Sequence, residues 1–351
     1  MPNGLFSSTG SIFLTGDWTN NGGNAAFIPG SQGDVLFIGG NQNISGSDVT
    51  NFYDLTLKGI GIKQLLGIDT KVSNTLNLND RELSTETNTA FVSNVNPAAI
   101  TLSTGFVSSL GDGALSRNTA STAPYLFPVG TSARYRPVVI TPSDADANTY
   151  AVRMAEVDAT AEGYSTSQKE PAITNINPLF YHRIRRDSGL TAADLTIYYD
   201  QAADGYFGSI GHWQNLPQWE DIKASSSAGG YGLTGISKSN WNDFTLHPFA
   251  LINLKNECRD KIFIPSAFSP NADGENDVLY VRGIDCLENL SEFVIFNRWG
   301  EKVFETTNPA NGWDGFYKGQ LSDAAVFTYY LKGTLIDGSG VTKSGNITLV
   351  R

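Results

Sequence analysis

At 351 residues the chain is long enough for two or three domains, each burying its own core. Charged residues are only 17% of it, below the roughly 25% of an average soluble protein, so the polar surface falls to Ser, Thr, Asn and Gly. The net charge of −11 argues against nucleic acid as a partner, which needs clustered Lys and Arg, and no apolar run reaches the roughly 18 residues of a bilayer span.

The start, "MPNGLFSSTG", has neither the basic segment nor the apolar core of a signal peptide. Either such a signal has been removed or the sequence is a piece of a longer chain. Helical periodicity is nearly absent throughout. Short alternating runs bounded by Gly, Asn, Asp or Pro take its place, so the fold class is all-β.

The first third repeats. "DVLFIGG" puts Val35 and Phe37 on one face, "YDLTLKG" does so with Leu55 and Leu57, and "NTLNLND" with Leu76 and Leu78. A second series, Ile44, Leu65 and Leu83, keeps nearly the same step of roughly 20 residues, within the range of a solenoid coil. One coil buries little, but stacking makes the apolar pairs into a continuous core. Residues 1–120 are therefore expected to form a short parallel β-helix, with "FVSNV" and "FVSSL" as later rungs. Evenly spaced strands of an ordinary sandwich would read similarly and remain the alternative.

Near Ala120 the pattern changes. "PYLFPVGTSARYRPVVITP", "NTYAVRMAEV", "FYHRIRRDSG", "ADLTIYYD" and "WNDFTLHPFAL" alternate as strands of a β-sandwich over 121–253. "LINLKNECRD" reads as a linker into a last domain, 254–351. Its strands lie in "KIFIPSAF", "DVLYVRG", "EFVIFNRWGEKVFET", "VFTYYLKGTL" and "GNITLVR", with "NRWG" and "DGSG" as hairpin turns.

Little of this carries catalytic chemistry. Gly230, Gly232 and Gly235 fit a dinucleotide fingerprint, but the following "ISKSNWND" has no helical face to receive a pyrophosphate. His182, His212 and His247 are scattered, and His182 sits in a strand as a structural residue. No nucleophile elbow or zinc spacing occurs. Carboxylate pairs brought together by folding would be needed for glycoside hydrolysis, and the repeat region is poor in acids. Trp213, Trp219 and Trp241 could stack on sugars or serve as core anchors. In "FSPNADGEND", Asn271, Asp273 and Asp277 surround Gly274 with calcium-type oxygens. The distal Glu of an EF-type loop is missing, since that position is Arg282, and a hydrogen-bonded Asx turn explains the same residues.

Taken in order, "IFIPSAFSPNADGENDVLYVRGIDC", "FVIFNRWGEKVFET", "GWDGFYKGQ", "FTYYLKGTL" and "GNITLVR" closely resemble the gliding-motility-associated, type B C-terminal sorting domain of Bacteroidetes type IX secretion substrates. Asn297, Arg298, Trp299 and Gly300 form one motif of that pattern, and Trp313, Asp314 and Gly315 belong to another. Ser266 stands where the family has Asn, and Ala272 where it has Gly, which puts a left-handed backbone there in question. The upstream part is similar, less specifically, to β-helix and sandwich modules of other secreted proteins of that group. The resemblance implies an Ig-like sandwich that directs export and display at the outer membrane. The partners it implies are the type IX translocon and a PorP/SprF-type outer-membrane barrel, with extracellular polysaccharide a further candidate. In an exported chain Cys258 and Cys286 are expected to form one disulfide, and Trp299 and Trp313 to be packing anchors. The expected whole is a non-enzymatic, adhesin-like surface protein without a cofactor. A secreted polysaccharide-active enzyme or carbohydrate-binding protein with the same sorting domain is the alternative.

Overall fold

The computed structural model describes all residues except 1–5, 24, 30–32, 215, 245–247, 256–260, 336–338 and 351. The chain divides into two compact units, Met1–Leu254 and Lys255–Arg351. The expected boundary between 120 and 121 falls inside the first.

That unit begins as a parallel β-solenoid of about five coils. Ile12–Leu14, Asp34–Phe37, Thr50–Leu57, Thr70–Asn79, Thr89–Val92 and Ala114–Thr119 stack in parallel along one sheet. Trp18–Asn20, Gln42–Gly46, Lys63–Leu66, Glu82–Ser84 and Phe106–Ser108 stack along a second. The repeat sets the register: Val35 pairs Leu55 and Leu55 pairs Leu76, and all three are buried. "FVSNV" supplies a rung of the first sheet and "FVSSL" one of the second. Polar ladders run along the same axis. Asp54 accepts from the Asn74 amide at 2.7 Å, and Asn74 accepts from that of Asn94 at 3.2 Å.

One part of the repeat differs from expectation. Ile44 lies opposite Leu65, but Leu83 lies opposite Lys63 rather than Leu65. Lys63 is fully buried, and its ammonium donates to the carbonyls of Gly39, Gly40 and Ile60. Gln42, beside it, donates to Leu14 and Gly16 and accepts from the Gly39 amide. The buried ammonium thus meets three carbonyl acceptors, without which its burial would be costly, and the Leu14 and Gly39 carbonyls also accept from the Ile38 and Ile60 N–H groups.

The first solenoid sheet does not end with the solenoid. Ala114–Thr119 pairs antiparallel with Asn148–Ala155, which pairs with Tyr181–Ser188, and the sheet continues to 13 strands among the described residues. Tyr125–Phe127, Val138–Pro142, Ala193–Tyr199, Leu233–Trp241 and Ser225–Gly230 form a separate five-stranded antiparallel sheet. Leu76 and Leu83 of the solenoid belong to the same hydrophobic cluster as Ile140, Ile197 and Phe249 of the sandwich region. Solenoid and sandwich thus share one core. Arg117 is buried beside the Tyr125 ring and donates to Asn96, Pro97 and Leu126 carbonyls, and burial pushes its guanidinium down to about 10.

The second unit has its own cluster, including Ile262, Phe268, Leu279, Phe293, Trp313, Phe327 and Ile347. Its five-stranded sheet runs Ala267–Phe268, Gly340–Leu349, Ala325–Leu335, Leu287–Phe296, Lys302–Thr306. The strand Gly340–Leu349 lies inside that sheet, parallel to Ala267–Phe268 and antiparallel to Ala325–Leu335. The "DGSG" turn lies partly outside the described residues.

Candidate functional sites

The turn in "FSPNADGEND" is built by its own side chains. Asp277 accepts from the backbone N–H groups of Asn271 and Ala272 through Oδ1 and from that of Gly274 through Oδ2. Asp273 accepts from Glu275 N–H through Oδ1 and from the Asn271 amide through Oδ2, while Asn271 Oδ1 accepts from Asp273 N–H. The bond from the Glu275 amide, followed by that from Asn271, holds the Asp273 carboxyl below its usual range. Each of these side-chain oxygens therefore accepts a hydrogen bond from within the turn, the arrangement of an Asx turn. Among the described residues no group of three His, Cys, Asp or Glu stands together as a metal cluster. Ala272 adopts φ +63°, so the left-handed backbone is kept without glycine.

The two tryptophan motifs do different things. In "GWDG", Trp313 is 1% exposed, with ring centroids 5.3 Å from Phe268 and 4.7 Å from Phe327, and its indole donates to the Phe316 carbonyl at 3.1 Å. Gly312 is required beside it, because a Cβ there would meet Val278 at 2.6 Å and Tyr280 at 2.7 Å. Asp314 accepts from Phe316 N–H, and Gly315 takes φ +80°. In "NRWG", Asn297 Oδ1 accepts from the N–H groups of Trp299 and Glu301, and Gly300 takes φ +75°. Trp299 itself is 84% exposed. The expectation that it packs in the core is wrong: the turn is closed by Asn297 and Gly300, and the indole projects away from it. Arg298 occupies the same turn. Glu301 accepts from the Tyr317 hydroxyl at 2.6 Å and from Lys318 at 2.9 Å, which tether the turn. Cys286 is disulfide-bonded; the expected partner, Cys258, lies outside the described residues.

In the first unit the remaining sequence candidates are structural. Gly230, Gly232 and Gly235 belong to the hairpin joining Ser225–Gly230 to Leu233–Trp241, with no helix behind it. His182 is fully buried, Nε2 facing the Arg136 carbonyl at 2.8 Å, and burial lowers its pKa to about 4. His212 is buried and stacks on Phe249; His247 lies outside the described residues. Trp213 and Trp219 are core residues, and half-buried Trp241 packs edge-on against His212. Neither Trp213 nor Trp219 offers an open face to a sugar.

Sequence motifs gave no warning of a trough of about 350 Å³ on the outer face of the long sheet. It straddles the junction where parallel pairing becomes antiparallel, and its lining residues Phe91, Ser116, Thr149 and Arg185 come from four adjacent strands. The signal was legible only in part: alternation places these residues outward, but register alone brings them into line.

Compared with known families, residues 262–349 match the CHU_C Type IX secretion signal domain. No curated protein and no solved structure matches the chain. The second unit is thus a type IX sorting domain at the C-terminal side of a β-solenoid, and such a signal marks the chain for the type IX machinery and for secretion to the cell surface and outer membrane.

Proposed function

We propose that this exported chain is a non-catalytic, adhesin-like surface protein, held at the outer membrane by a PorP/SprF-type barrel that engages its sorting domain. The observation that carries the reading is the outer face of the long sheet. Along the solenoid and into the sandwich it presents Asn51, Ser73, Ser93, Asn118 and Thr149, hydroxyls and carboxamides interspersed with Lys71, Phe91 and Arg185. Its carboxylates are engaged by neighbouring donors. Asp34 lies opposite Asp54 on the next coil, where Thr56 donates to Asp34 and the Asn74 amide and Thr75 N–H donate to Asp54. Farther along, Asp69 accepts from Thr89 N–H and Asp187 from Arg185, and their strands stand four spacings apart, roughly 19 Å.

Deleting the chain from a type IX-competent cell should reduce attachment to polysaccharide-coated surfaces, and crosslinking on intact cells should recover the outer-membrane barrel. Purified chain should release no reducing ends from the same polymers. Turnover that a single carboxylate substitution abolishes would replace this reading with the enzymatic one.

A further inference from the structure

We propose that the trough on the first unit is a binding slot for one sugar residue of an uncharged polysaccharide; this rests on the surface-binding reading above and names its ligand. The slot follows from side-chain size along one pairing row. Phe91 stands on Thr89–Val92 and Arg185 on Tyr181–Ser188, with Ser116 and Ala151 between them. Three strand spacings separate the two large side chains, roughly 14 Å. Ser116 and Ala151 are small and almost wholly buried, and Ser116 with Thr149 lines the trough between the two walls.

The walls suit the two kinds of surface on a pyranose. A half-buried phenyl ring offers an apolar face to the ring's C–H groups. Opposite it, Arg185 Nε donates to Asp187 Oδ1 at 2.8 Å, which sets the other guanidinium donors beside a carboxylate acceptor for neighbouring hydroxyls. Thr149, which donates to Asn118 Oδ1 at 2.8 Å and accepts from Ser188, adds a fixed hydroxyl at the rim. Charge selects an uncharged chain. Lys71, placed 5.6 Å from the Phe91 ring centre, and Arg185 are matched by Asp69 and Asp187, so the lining is neutral overall. An anionic chain would gain at Lys71 but meet both carboxylates and the negative charge of the whole molecule.

The test is a printed panel of neutral and uronic-acid oligosaccharides probed with the full chain, with Phe91→Ala and with Arg185→Lys. The second variant keeps the charge and loses the planar fork, so it stays informative if Phe91→Ala folds poorly; melting curves accompany both. Neutral oligosaccharides should bind the wild type, and each folded variant should lose at least about ten-fold, the 1.4 kcal/mol of one decade. Wild-type binding by both variants, no binding by the folded wild type, or binding of uronic-acid oligosaccharides alone would overturn the slot. Attachment of displaying cells that survives such a failure would leave the surface-binding reading intact, whereas cleavage of the printed sugars would overturn that reading instead.

Discussion

Trp313→Ala should strongly destabilise the sorting domain, and Trp299→Ala should leave its stability nearly unchanged. Trp313 is 1% exposed and packs edge-on to Phe327 and tilted against Phe268, so its loss opens a cavity among core rings. Substitutions of this kind cost about 3–5 kcal/mol, and the unit loses the indole bond to the Phe316 carbonyl as well. A domain of this size has about 5–15 kcal/mol in total. Trp299, at 84% exposure, is a surface position where changes stay within about 0.5 kcal/mol. Scanning calorimetry of the full chain should show the transition of the second unit lowered by more than about 10 °C in Trp313→Ala, since 1 kcal/mol shifts a domain this small by about 4–8 °C. Surface display in a type IX-competent cell should fall with it. A Trp313→Ala transition within about 2 °C of wild type, or a loss of stability in Trp299→Ala as large, would refute the assignment of core and surface.

Ala272→Gly should raise the urea midpoint of the second unit by up to about 1 kcal/mol equivalent, because the left-handed Ala pays about 1–2 kcal/mol that glycine avoids, partly offset by glycine's flexibility when unfolded. Thermal melts in calcium and in chelator should coincide, since the oxygens of Asn271, Asp273 and Asp277 already accept from N–H groups; a calcium-dependent shift lost in Asp277→Asn would restore the metal loop. His182 gives the first unit a pH dependence. Its folded pKa, near 4, lies below the ordinary 6.5, so the unfolded chain binds the proton first as pH falls. The stability is complete above about pH 6.5 and declines by about 3 kcal/mol down to about pH 4. Urea titrations across that window should show the decline, and His182→Gln should flatten it.

The solenoid was legible because its evidence is local and repeated: Val35, Leu55 and Leu76 recur at the coil period, and each coil needs the next for burial. Lys63 was not. Nothing in "GIKQLLG" distinguishes a lysine facing solvent from one that reaches back to three turn carbonyls, because the carbonyls belong to the preceding coil and to its own turn. The trough escaped for a related reason. Phe91, Ser116, Ala151 and Arg185 are separated by long connections, and only the change from parallel to antiparallel pairing after Ala114–Thr119 brings them into one row. The shared core was hidden likewise: a composition change near Ala120 marks a change of strand direction, while the sheet itself runs on.

The sorting motifs show how far a sequence signature can be taken before coordinates are needed. "NRWG" and "GWDG" each set a tryptophan beside glycine, and by sequence the two look equivalent. Burial separates them. Gly312 is there because Val278 and Tyr280 press against the backbone that delivers Trp313 to the core. Gly300 is there because the backbone turns left-handed, and its tryptophan is carried outward by a loop whose closure depends on Asn297. The turn at 271–277 is different again: its carboxylates spend their acceptors on the loop's own amides. One motif therefore supplies core, one supplies a rigid projection and one supplies loop geometry. These three are held together by a sheet in which Gly340–Leu349 is an interior strand with partners on both sides. Each of these features exists only in the folded unit. Loss of export from a core substitution and loss from a surface substitution then have separate physical causes, and stability measured beside display is what tells them apart.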